Sequence, residues 1–147
     1  METLLAPPEK ILQTGMDELH RETIDWVMEL EFCKTELSFL GKLLDKCFLK
    51  IKGNQQLSEL TKLDIKVRAF RGTTLNFLHR ELVSHEKHIA ELEEKKVRQQ
   101  DEQIVREEHL KFDNDVKDFM RYVKNIKNEV FRFVEKELKS STDSKKK

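Results

Sequence analysis

Leu12, Met16, Leu19, Thr23, Trp26, Leu30, Cys33, Leu37, Leu40, Leu44, Cys47 and Ile51 follow one another at alternating spacings of four and three. An almost wholly apolar repeat of 3.5 residues, held this long, predicts a helix that buries one narrow stripe. Pro7-Pro8 fits its first turn and Gly53-Asn54 is the clearest turn signal after it, which sets the helix at 8–52. Such a helix is about 60 Å long, more than an ordinary globular core uses.

A second stripe begins with Leu60, Leu63, Val67 and Phe70 and resumes as Leu75, Leu78, Leu82, His85, Ile89 and Leu92. The two halves are out of phase by one residue, and the slip falls on Arg71-Gly72-Thr73-Thr74. A kink, a π-bulge or a short break is predicted there, because Gly favours none of the helical alternatives strongly. The third stripe is regular: Val105, His109, Phe112, Val116, Phe119, Val123, Ile126, Val130 and Phe133. Between the second and third stripes, EEKKVRQQDEQI contains neither Gly nor Pro, so no local signal marks a turn. A turn near 98–101 gives three helices of about forty residues, whose stripes all find partners. An unbroken rod leaves half its stripe to a second chain. The predicted fold is therefore all-α, an elongated antiparallel three-helix bundle running up-down-up, with helices at 8–52, 57–98 and 101–139. Residues 1–140 form one domain, and SSTDSKKK at 140–147 supplies a disordered Lys-rich tail over 141–147.

Composition supports this. Charged residues make up 38% of the 147, while Gly numbers four and Pro two, which leaves little material for loops or sheet. The N-terminus lacks the basic and apolar regions of a secretory signal, and no apolar run approaches the ~20 residues that span a bilayer. Cys33 and Cys47, fourteen residues apart on one helix, are about 21 Å apart and cannot pair with each other. Both belong to the stripe as small hydrophobes, and a reducing, cytoplasmic setting is expected.

Candidate chemistry is sparse. The chain has no phosphate-binding Gly loop, no CxxC and no nucleophile elbow, so no enzyme activity and no cofactor are predicted. Carboxylate pairs such as Glu93-Glu94 and Glu107-Glu108 read as solvated helix faces. With turns centred near 54–55 and 99, His20, His88 and His109 fall at one height on three helices, the only metal-ligand candidates. Their heptad positions face different ways, and the Glu-x-x-His pairs of di-iron bundles are absent. His85 and His109 lie on stripes, where protonation inside the packing makes a pH-sensitive layer.

Charge changes the picture most. The 28 basic and 28 acidic residues cancel overall. Residues 1–41 nevertheless carry 3 basic and 9 acidic side chains, and residues 42–80 carry 9 and 3. Residues 81–112 carry 6 and 9, and residues 113–147 carry 10 and 7. Folded up-down-up, these blocks give an acidic end and a basic end, the latter led by Lys46, Lys50, Lys62, Lys66, Arg68 and Arg71. A basic end engages an acidic protein or an anionic surface such as lipid headgroups, and opposite ends invite self-association. Nucleic acid is disfavoured, because no aromatic side chains accompany the basic positions. Phe32 and Phe39, seven apart and off the stripe, either widen the core or form a docking stripe for a protein partner. The expected function is thus a non-enzymatic protein-interaction or scaffold module. The alternatives are a binder of anionic surfaces and a His-based metal protein.

Overall fold

The stripe of the first helix becomes its buried face: Leu19, Leu30, Leu37, Leu40 and Leu44 are almost completely covered, with Trp26 and Cys33 beside them. In this computed structural model residues 15–94 and 99–145 are described, with side chains over 15–94 and 101–139. Helix α1 spans Met16–Phe48, α2 Asn54–Ala69, α3 Leu75–Glu94 and α4 Gln99–Lys145. A π-helical turn, Phe70–Thr74, joins α2 directly to α3, so three helical runs make up an all-α bundle. The described residues contain no strand.

Each boundary has a local cause. Gly15 lies outside the helix, and its carbonyl accepts the amides of Glu18 and Leu19 at 3.1 and 3.2 Å. Asp17 and Glu18 then place negative charge against the positive end of the backbone dipole. This helix therefore starts at Met16, where Pro7-Pro8 suggested 8; Pro7, Pro8 and Leu12 lie outside the described residues. At the other end α1 stops at Phe48, four residues before the expected 52, and the amides of Lys50 and Ile51 close on the Cys47 carbonyl. Gly53, with an extended backbone, begins the next helix: its carbonyl accepts the Leu57 amide at 3.0 Å. The Gly53-Asn54 signal thus opens α2 at 54, where a start near 57 was expected.

The one-residue slip in the second stripe is absorbed by the π turn. Leu60 and Val67 are buried before it and Leu75, Leu78, Leu82, His85 and Ile89 after it. A π turn holds one residue more than an α turn, so both halves keep their apolar side on the core. The expected turn near 98–101 falls partly on residues 95–98, outside the described residues, and Gln99–Asp101 are already helical. Helix α4 continues to Lys145, so 141–145, expected as part of a disordered tail, are helical; Lys146 and Lys147 lie outside the described residues.

The chain divides into two compact units. The first comprises Met1–Glu31 and Asn76–Met120, the second Phe32–Leu75 and Arg121–Lys147. In the first, α1 and α3 run antiparallel, as the contacts of His20 with Glu93 and of Glu31 with His79 require. Leu19, Ile89 and Val105 form a packed layer there, with Met16, Leu92 and Leu110 against it. Thr23, the polar residue of the stripe, is fully buried and donates its hydroxyl to the Leu19 carbonyl at 2.8 Å. In the second unit α2 and α4 are antiparallel, with Lys66 on Glu129 and Phe70 against Tyr122. Lys127 ties α4 to α1 through Glu36.

Candidate functional site

The two units separate the charge of the chain. By sequence the first holds 10 basic and 20 acidic residues, net −10, and the second 18 basic and 8 acidic, net +10. Every partner-binding candidate read from the sequence falls in the second, basic unit: Phe32, Phe39, Lys46, Lys50, Lys62, Lys66, Arg68 and Arg71. Their environments differ. Phe32 and Phe39 are 66% and 55% exposed, so they do not extend the core. Phe39 borders a shallow depression on α1 with Lys34 and Lys42 at its rim. Lys46, Lys50 and Lys62 are exposed, and Arg71 is half-buried. Arg68 is held by Asp64 at 3.0 Å and approaches Asp45 at 3.9 Å, and Lys66 is held by Glu129 at 3.1 Å.

Lys62 and Lys66 also border a groove that sequence reasoning did not foresee. It lies between α2 and α4, encloses about 460 Å³, and has Leu63 and Phe133 as its apolar floor. Arg132 and Lys136 stand on the α4 side. Their i, i+4 spacing, like that of Lys62 and Lys66, puts each cation pair on one helix face. That spacing is readable in the sequence. The antiparallel match of 66 with 129 is not.

The acidic unit holds a different arrangement, a chain of hydrogen-bonding groups through the core. His85 Nδ1 meets Glu108 Oε1 at 2.5 Å, His85 Nε2 meets His109 Nδ1 at 2.9 Å, and His109 Nε2 meets Glu22 Oε2 at 3.1 Å. Both imidazoles are fully buried. The His109 ring stacks on Trp26 at 4.5 Å, and His85 packs on Phe112 at 5.0 Å. Burial pushes both histidines below the usual imidazole range. For His85 the Glu108 hydrogen bond opposes the shift and the neighbouring His109 adds to it. His109 falls to about 4, because Asp113 only partly offsets burial and Arg106 works against protonation. Burial would raise the Glu108 carboxyl, but hydrogen bonds from His85 and His88 outweigh it and hold the group ionised.

Counting protons fixes the order along this chain. An ionised Glu108 accepts from His85 Nδ1–H, and His85 Nε2 then accepts from His109 Nδ1–H. That leaves a bare His109 Nε2 facing Glu22. Four groups make three contacts, but two neutral imidazoles bring only two protons. The contact of His109 Nε2 with Glu22 therefore receives no proton from either neutral imidazole.

The three metal-ligand candidates do not converge. His109 is committed to His85, His88 is exposed and 3.3 Å from Glu108, and His20 sits between Glu93 at 2.8 Å and Glu86 at 3.4 Å. Among the described residues no group of three or more His, Cys, Asp or Glu side chains is placed to hold a metal. Two carboxylates read as solvated surface have partners instead, Glu108 on His85 and Glu93 on His20. Cys33 is buried and Cys47 half-buried, and neither forms a disulfide among the described residues. Burial raises the Cys47 thiol, and Glu137 adds to this more than Lys50 relieves it. No helix among the described residues is long and apolar enough to cross a membrane.

Comparison with protein-family models, curated proteins and solved structures finds no match.

Proposed function

We propose that the chain is a non-enzymatic helical-bundle module that binds other proteins, with its basic unit as the docking side. The observation that carries this reading is the exposure of Phe32 and Phe39 on one side of α1, in a unit of net charge +10. Two phenyl rings left in water seven residues apart offer the apolar centre that protein interfaces are built around. Lys34 and Lys42 beside Phe39 select an acidic partner through charge complementarity. A reducing, cytoplasmic setting is proposed for this activity, in keeping with two cysteines that pack along one helix rather than pairing with each other. The reading that assigns the basic surface to lipid headgroups has less support, since Lys66 and Arg68 are already held by Glu129 and Asp64.

A photo-crosslinking side chain placed at position 32 or 39 tests this inside cells. The expected result is a small set of adducts with acidic proteins, reduced several-fold when Lys34 and Lys42 are changed to Glu. Adducts no more abundant than those from a crosslinker at the exposed position 91 overturn the reading. So does binding to phosphatidylserine vesicles that is lost on charge reversal of Lys46 and Lys50 and accompanied by no protein adduct.

A further inference from the structure

The acidic unit bears an apolar pair that its own core leaves uncovered. Ile24 and Met28, one turn apart on α1, are 39% and 61% exposed, on the side of the helix opposite Leu19, Trp26 and Leu30. At 100° per residue Asp25 and Glu31 stand on either side of this pair. Both are exposed, and Glu31 also reaches His79 at 3.7 Å. The groove of the basic unit is the converse: an apolar floor of Leu63 and Phe133, with Lys62 on one rim and Arg132 and Lys136 on the other. Glu59 and Glu129 are its carboxylates, and Glu129 is occupied by Lys66. Lys62, Arg132 and Lys136 form no ion pair among the described residues.

We propose that the groove of one copy receives the Ile24–Met28 face of α1 from a second copy. The proposal rests on the reading above that the basic unit is the docking side, and it names one acidic partner for that unit. The distribution of cations identifies the occupant. A single-headed amphiphile needs positive charge at one end of an apolar channel, whereas here cations line both rims. That pattern matches an apolar pair with a carboxylate on each side, which α1 of the acidic unit presents. The unit charges of −10 and +10 favour encounter in the same orientation.

Face and groove are different surfaces, so the contact is heterologous. Each joined chain still offers one of each, and growth is open-ended unless a ring closes. The patch falls well short of the roughly 800 Å² per partner of a stable complex. Association is therefore weak, and the exposed charges make it salt-sensitive.

Light scattering of the full chain at about 1 mM, a concentration that populates even millimolar contacts, supplies the test. At about 0.01 M salt, where screening is weak, the average mass is expected to exceed 17.6 kDa and to rise with concentration. It is expected to return to 17.6 kDa at about 0.5 M salt, where exposed charges are screened. Two variants decide the geometry: Lys62→Glu with Arg132→Glu in the groove, and Ile24→Lys with Met28→Lys on the face. All four positions are exposed, so helicity is expected to be kept, and Lys62→Gln with Arg132→Gln is the milder groove change. Each variant alone stays monomeric. Mixed, they form a complex of twice the chain mass and nothing larger, because one supplies the intact face and the other the intact groove. A wild-type mass fixed at 17.6 kDa at low salt overturns the proposal, as does a mixture that fails to pair while the wild type associates. If adducts at 32 and 39 persist in that case, the interaction function stands and only the second-copy contact falls.

Discussion

Lowering the pH from 7 to 5 is expected to remove about 2 kcal/mol of folding stability through His109 alone, rising to about 3 kcal/mol by pH 4. The sign follows from the direction of the shift. In the folded chain His109 titrates at about 4, against 6.5 when exposed. Between those values the unfolded chain binds a proton that the folded chain refuses, so stability rises with pH across this window. At pH 7 the folded chain is unprotonated and the exposed imidazole carries a proton only about a quarter of the time, so the contribution is small. His85, shifted the same way, steepens the slope. The groups that face the pair are Glu22 from α1, His88 from α3, and Arg106, Glu108 and Asp113 from α4. Of these, Glu108 is held below the usual carboxylate range by hydrogen bonds from His85 and His88, against the effect of burial. Urea unfolding at pH 7, 6 and 5 measures the slope.

Substitution separates the network from mere burial. His109→Leu leaves a buried His85 Nε2 with no donor and is expected to cost about 1–3 kcal/mol at pH 7. His85→Leu strands His109 Nδ1 in the same way. The double variant removes both buried partners, while Glu22 and Glu108, about a third exposed, can turn to water. It should therefore cost less than the two single changes added together, by about 1–2 kcal/mol, and its stability should be nearly flat between pH 7 and 5. A double variant that keeps the wild-type slope would place the proton elsewhere.

The second large effect concerns chain length in the run from Asn54 to Glu94. Deleting Gly72 turns the π turn into an α turn and puts Leu60, Leu63, Val67 and Phe70 in one unbroken four–three register with the residues that follow. The fold is expected to survive, with a melting temperature within a few degrees of wild type. Deleting Ser84 instead rotates His85, Ile89 and Leu92 by about 100° relative to Leu75, Leu78 and Leu82. One set of three must then leave the core. At about 1.5–3 kcal/mol per large buried side chain the loss approaches the whole stability of a domain, so the variant is expected to be unfolded. Far-ultraviolet circular dichroism and thermal melting distinguish the two deletions directly. Equal damage from both would show that the π turn does more than absorb a residue.

These expectations also show which features the sequence could reveal. The buried faces were legible because a four–three repeat fixes rotation about the helix axis: Leu30, Leu37, Leu44, Leu82 and Val130 all bury as their spacing requires. The π turn was legible for the same reason, since a phase slip is a statement about rotation. Axial position is different, because sliding a helix along its neighbour leaves its stripe unchanged. His85 meets His109 and Ile89 packs with Val105, pairs that both average to position 97, two before the 99 assumed from equal helix lengths. That offset turned an expected layer of His20, His88 and His109 into the pair His85–His109 with Glu22 and Glu108 at its ends. Helix ends were the least legible. Gly15 stops α1 by remaining outside the helix, and Gly53 begins α2 where it was expected to end α1. Phe32 and Phe39 could not be placed by periodicity, because an aromatic side chain beside a stripe is equally compatible with a wider core.

The separation of charge between the two units has a consequence for handling the protein. At its isoelectric point near pH 7 a uniformly mixed chain passes through both anion- and cation-exchange columns. This chain, with an excess of ten negative charges in one unit and ten positive in the other, has a strong handle for each resin. Retention on both media at low ionic strength, at the pH where the net charge is zero, is the chromatographic signature of its fold.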